Sequence, residues 1–143
     1  MSILSIGCYI IFFSSKQRKY NKVQHHYCIH IKDNILKEEF CGDIDLATLD
    51  RASLSIIEDK NFKKGLHFLT DLRKAHLHIT YDEMWQHTSQ LPDLGINKQA
   101  LIVSRDLEYG FARQFHALSN DKDIFNELRI FKDINEAHKW LNL

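Results

Sequence analysis

From Gly65 to the C-terminus, strand patterns alternate with capped helix patterns, and this alternation constrains the fold more than any other feature of the chain. An apolar strand from Leu66 ends in Asp71-Leu72-Arg73. A helix then opens at Thr80, with Glu83 three residues on. That is capping-box spacing, in which hydroxyl and carboxylate each satisfy an orphan backbone amide. Ala100 to Val103 is a continuous apolar run, the mark of a strand covered on both faces. A helix from Asp106, a strand from Leu128 to Phe131 and a helix capped by Asp133, with Glu136 at the reciprocal position, complete the order. Strands joined through helices are expected to be parallel, with right-handed crossovers.

Upstream of this series the pattern changes. Val23 to Lys32 alternates, with Val23, His25, Tyr27, Ile29 and Ile31 on one face. Asp33-Asn34 forms a short turn, because both residues tolerate positive φ. Ile35 to Gly42 returns as the second arm of a hairpin. One face of the hairpin is polar, so helices are expected mainly on the other. Asp45 is placed to cap a helix running to about Glu58, with Leu46, Leu49, Ser53, Ile56 and Ile57 inward. The full order is β-β-α-β-α-β-α-β-α, a single-domain α/β fold with a mixed, mostly parallel sheet and about four helices. The expected core includes Leu66, Phe68, Thr70 and Leu72 on the third strand, and Met84, Trp85, Thr88 and Leu91 on the second helix. Leu107, Phe111, Phe115 and Leu118 follow on the third helix, and Ile134, Ala137 and Leu141 on the last, with Trp140 on its flank. Gly110 inside a helix costs about 1 kcal/mol relative to alanine, which predicts a close approach by packing or a ligand.

Composition narrows the function classes. At 143 residues the chain can bury a core without staples. Nineteen basic and 19 acidic side chains cancel, which argues against a general nucleic-acid binder. Zero net charge and an open sheet edge permit a homodimer. Cys8, Cys28 and Cys41 form no CxxC pair, the usage of a reduced, cytoplasmic protein. Residues 1–21 read as an extension outside a domain spanning 22–143. Ile3 to Phe13 is apolar and Lys16-Gln17-Arg18-Lys19 follows. The run falls short of the roughly 20 residues that span a bilayer, and its charge lies on the wrong side for a signal peptide. It is either an ordered extension or a stretch added upstream of the domain. Any membrane contact is expected only through this segment.

The motifs of common chemistries are absent. No glycine-rich phosphate loop, GxSxG elbow or Cys–His pairing is present. Nine histidines are many for this length. His76 and His78 share a strand face, as do His26 and His30, but no finger or HExxH spacing converges on a metal. Glu38 and Glu39 are adjacent on a strand, so they point to opposite faces and cannot form an acid/base pair. Neither a metal nor any other cofactor is expected, and catalysis is the minority reading.

The chain resembles the SpoIIAA-like branch of STAS/SEC14-type domains over about residues 22 to 143. The resemblance rests on Thr70-Asp71-Leu72-Arg73, Tyr81-Asp82-Glu83-Met84, Ala100 to Ser104, Tyr109-Gly110-Phe111-Ala112-Arg113, and Phe131-Lys132-Asp133 through Leu141. It implies a small α/β binding or regulatory domain. In anti-anti-sigma relatives it implies a partner kinase and a serine phosphorylated in an Asp-Ser-Ser stretch. Ile79-Thr80-Tyr81 stands in that place here, without the Asp-Ser-Ser motif; Thr80 is the candidate phosphoacceptor, but its role as helix cap fully explains the residue. SEC14-type relatives imply lipid binding, though a chain this short shows no room for a large lipid pocket. Asp71, Arg73, Ser104 and Arg105 fall at the carboxyl ends of strands, where open α/β sheets bind ligands and helix starts hold anions. Tyr109 and Arg113 border that edge. The predicted site for a protein partner or small anionic ligand is therefore Asp71, Arg73, Thr80, Ser104, Tyr109 and Arg113. The alternatives are a structural Asp–Arg contact at this edge, a lipid or membrane-surface module, and an enzyme using the Asp71/Ser104 crevice.

Overall fold

The computed structural model describes residues 4–6, 9–11, 26–120 and 124–143. Two short strands, β1 (Leu4–Ile6) and β2 (Tyr9–Ile11), pair antiparallel as a sheet of their own. The main sheet holds β3 (Tyr27–Lys32), β4 (Ile35–Ile44), β5 (His67–Leu77), β6 (Ile96–Ile102) and β7 (Phe125–Phe131), in that spatial order. The hairpin β3–β4 is antiparallel and every later pairing is parallel. Its turn puts Asp33 and Asn34 at φ 51° and 68°, the left-handed geometry that short polar side chains tolerate. The predicted start of the first strand at Val23 lies outside the described residues.

Four helices connect the strands: α1 (Leu46–Glu58), α2 (Tyr81–Gln90), α3 (Asp106–Ser119) and α4 (Ile134–Leu141). Three of the predicted caps form. The Asp45 carboxylate accepts from the Thr48 amide at 2.8 Å. Thr80 and Glu83 close the capping box, and Asp133 accepts from the Asn135 amide. Since the strands run in sequence order, crossovers of one hand place α1, α2 and α3 on a single face. Leu69, Ala100 and Ile102 meet Ala137 and Leu141 of α4 on the other. Phe68, Leu101 and Val103 face the three-helix side, so β6 is covered on both faces as expected. Among the described residues no helix is long and apolar enough to cross a membrane.

Several predicted boundaries and faces move. β5 runs five residues beyond Leu72, β4 reaches Ile44, and β6 and β7 begin earlier than their apolar runs. Neighbouring strands supply the hydrogen bonds that extend them. Leu107 and Trp85 were expected inside but are each 57% exposed, and Ile57 is exposed too. Helix α3 is turned so that Glu108, Ala112 and Ser119 are buried instead. A Cβ added at Gly110 would meet nothing within 4 Å, so that glycine marks no close approach.

Candidate functional site

Of the predicted strand-end residues, Ser104 lies just beyond β6, whereas Asp71 and Arg73 fall short of the end of the central strand β5. Asp71 and Arg73 lie within β5, at the place where its register with β4 shifts. Glu39 faces Asp71 and Cys41 faces Lys74, so Leu72 and Arg73 together stand opposite Phe40. Such a bulge leaves backbone groups without ladder partners. The Asp71 carboxylate accepts from the Arg73 amide at 3.0 Å, and the Ser104 hydroxyl donates to the Arg73 carbonyl at 3.2 Å. The Arg73 guanidinium also donates to both Asp71 oxygens, at 2.7 to 3.1 Å. Those bonds raise the Arg73 pKa further. Three of the six predicted site residues thus complete one bulge.

The other three lie apart from that bond set. Thr80 is exposed and caps α2. Tyr109 sits under Lys132, whose ammonium is 5.6 Å from the ring centroid. Arg113 is exposed on α3. The strand order never reverses, so this edge has no switch-point crevice of the kind that binds ligands in doubly wound sheets.

Arg105 turns to Glu108, the residue that sequence reasoning missed on this side. Glu108 has no accessible surface, yet it lies shallow, beneath the Arg105 side chain. Its oxygens accept from Arg105 at 2.6 and 2.8 Å and from the Leu77 amide at 3.3 Å. Burial pushes its pKa up, but the Arg105 bonds and the backbone amides of Glu108 and Leu77 outweigh this and hold it low. The contact ties the end of β5 to the start of α3. His76 and His78 do share a face, both turning to Asp43 at 3.9 and 2.9 Å. That cluster is exposed, and no group of metal-ligating residues forms among the described residues.

The space in the molecule lies elsewhere, between the sheet and helices α1 to α3. A partly open cavity of about 100 Å³ is walled there by apolar side chains, Phe40, Phe68, Leu101, Met84 and Phe111 among them. Glu38, from the middle of β4, enters it. The strand alternation that buries Leu36 and Phe40 carries Glu38 to the same side, while Glu39 faces out to Lys74 at 3.3 Å. The opposite-face reading of this pair holds.

Glu38 Oε1 accepts from the Thr70 hydroxyl at 2.7 Å, and Gln99 Nε2 donates to the same hydroxyl at 3.3 Å. Thr70 and Gln99 are 4% and 5% exposed. Gln99 Oε1 is buried without a hydrogen-bond partner. Glu38 retains some accessible area although protein surrounds it; the cavity accounts for both, since area facing an internal space counts as accessible. Burial pushes its carboxyl up from 4.5 to about 7, partly offset by the Thr70 bond. The other titratable residue in the lining is His87, whose Nδ1 lies 2.8 Å from the Asp50 carboxylate. Among the described residues no lysine or arginine lines the space.

With a mostly parallel sheet whose strands follow chain order and four helices, this chain has a SpoIIAA-like fold. Among solved structures it is similar to an uncharacterised DUF3478-family protein with a SpoIIAA-like fold from Shewanella loihica PV-4. The TM-score is 0.56 at 16% identity, covering 80% of this chain and 93% of the other. No family model and no curated protein matches the sequence.

Proposed function

We propose that the chain is a non-catalytic binding domain that takes a small ligand into the cavity between the sheet and helices α1 to α3. One observation carries this reading: a mostly apolar space holds a single carboxyl, Glu38, backed by Thr70 and Gln99. Pockets of that composition, with few convergent polar groups and a perturbed titratable residue, are the default binding sites of small domains. The same composition argues against chemistry. Glu38 has no second acid or base beside it in the cavity lining except His87, which is engaged with Asp50, and no nucleophile is paired to a base there.

The test is an NMR titration of the full chain with benzyl alcohol as a neutral probe. Shifts centred on Met84, Leu101 and Phe111, with a dose-dependent rise in Tm, are the expected result. Shifts confined to surface residues, or none at all, overturn the cavity reading.

A protein partner or small anion at the edge carrying Asp71, Arg73, Thr80, Ser104, Tyr109 and Arg113 is the second reading. It is favoured by the exposure of Thr80, the cap of α2, and of Ser104, just before the start of α3. Inorganic phosphate shifting the Thr80 and Ser104 amides, while leaving the cavity signals unmoved, supports it; no shift at either amide removes it.

A further inference from the structure

The cavity has a charge preference written into its walls, and this preference deepens the binding reading on which it rests. We propose that its ligand is a small, largely hydrocarbon molecule with one protonated amine, the ammonium paired with Glu38 and the hydrocarbon body packed against Phe40, Phe68 and Leu101. The size sets the body. An apolar cavity of ~150 Å³ admits benzene; this one, at about 100 Å³, is smaller but partly open, so it encloses a short chain of about four carbons, or a ring whose edge extends into the opening. The lining sets the sign. Glu38 is the acid in the wall, and among the described residues no lysine or arginine stands there to receive a carboxylate or phosphate.

The hydrogen bonds set the place of the head group. Gln99 donates to Thr70 and Thr70 donates to Oε1 of Glu38, so the chain of donors ends on the carboxylate. Glu38 Oε2 receives no hydrogen bond from any described residue and is not among the buried orphan atoms. An acceptor that is left open in an apolar wall favours a donor, and a charged donor most. Facing Glu38 from neighbouring elements are Ile29 across β3 and Thr70 across β5, with His87 contributed by α2. None of these is a lysine or arginine, and the His87 ring is engaged by Asp50 rather than by Glu38. Burial also keeps water from screening the pair, so the ionic contact is stronger than at the surface.

Three probes of one shape decide the matter on the full chain: benzylamine, benzyl alcohol and benzoate, titrated by calorimetry and NMR at about pH 8 and about pH 5.5. Benzylamine is expected to bind on the order of tenfold tighter than benzyl alcohol at the higher pH, with benzoate weakest. The preference shrinks at the lower pH as Glu38 takes up a proton. In Glu38→Gln it vanishes while benzyl alcohol still binds, and that residual binding also reports that the variant is folded. Should the variant not fold, the ranking of the three probes on the native chain decides alone. Benzoate binding best, or an amine preference that survives Glu38→Gln, overturns the amine assignment and leaves the cavity reading standing. Failure of all three probes to enter overturns both.

Discussion

Glu38 is the residue whose surroundings differ most from what its chemistry prefers. Its folded-state pKa, about 7 against an ordinary 4.5, means that the native chain holds this proton more tightly than the unfolded one. Stability is therefore greatest at low pH with respect to this group, falls as pH rises from about 4.5 to about 7, and is level above that. The full shift corresponds to about 3 kcal/mol. Glu38→Gln should flatten this part of the profile, so that the variant gains Tm relative to the native chain between about pH 5 and pH 8. Thermal melts across that range check it; parallel curves refute it. Thr70→Val removes the one bond that lowers the Glu38 pKa, and the carboxyl resonance should then titrate above its native midpoint in a carbon-detected NMR series.

At the scale of elements, polar residues that look like sites hold strand and helix ends together. Asp71, Arg73 and Ser104 satisfy a bulge, and Glu108 ties β5 to α3. Glu108→Ala leaves the Arg105 charge and the Leu77 amide without their partner. Arg105 is half-exposed and stays solvated, so the cost is that of leaving the buried Leu77 amide unpaired, about 1–3 kcal/mol, and a clear drop in the urea midpoint is expected; a change no greater than that of a surface substitution contradicts the account. Thr80→Ala should cost about 1 kcal/mol through the lost cap, and Thr80→Asp much less, because aspartate caps equally well. Equal losses in the two variants would show that the hydroxyl does more than start α2.

For the whole molecule, every buried cluster of the described residues is built between Leu36 and Leu141, and β1–β2 forms a separate sheet. A chain beginning at residue 22 should therefore melt within roughly 2 °C of the full chain, less than the about 4 °C that 1 kcal/mol produces in a domain of this size. A loss of cooperative melting would assign the first 21 residues to the core.

The order of elements, the hairpin turn, three caps and the double cover of β6 were legible in the sequence. Each depends on residues close together in the chain: Asp33-Asn34, Asp45, Thr80 with Glu83, Asp133, and the run from Ala100. The inward side of β4 was legible too, since Glu38 stands between Leu36 and Phe40 at a spacing of two. A period carries parity, but it does not say that the strand beyond leaves space. The rotation of α3, the β5 bulge and the cavity were decided only in the tertiary structure. They depend on contacts over long separations: Leu77 with Glu108, Ser104 with Arg73, Glu38 with Thr70 and Gln99. Local preference chooses how each segment folds. Whether a carboxylate ends in water or in an apolar space is settled by which segments close over it.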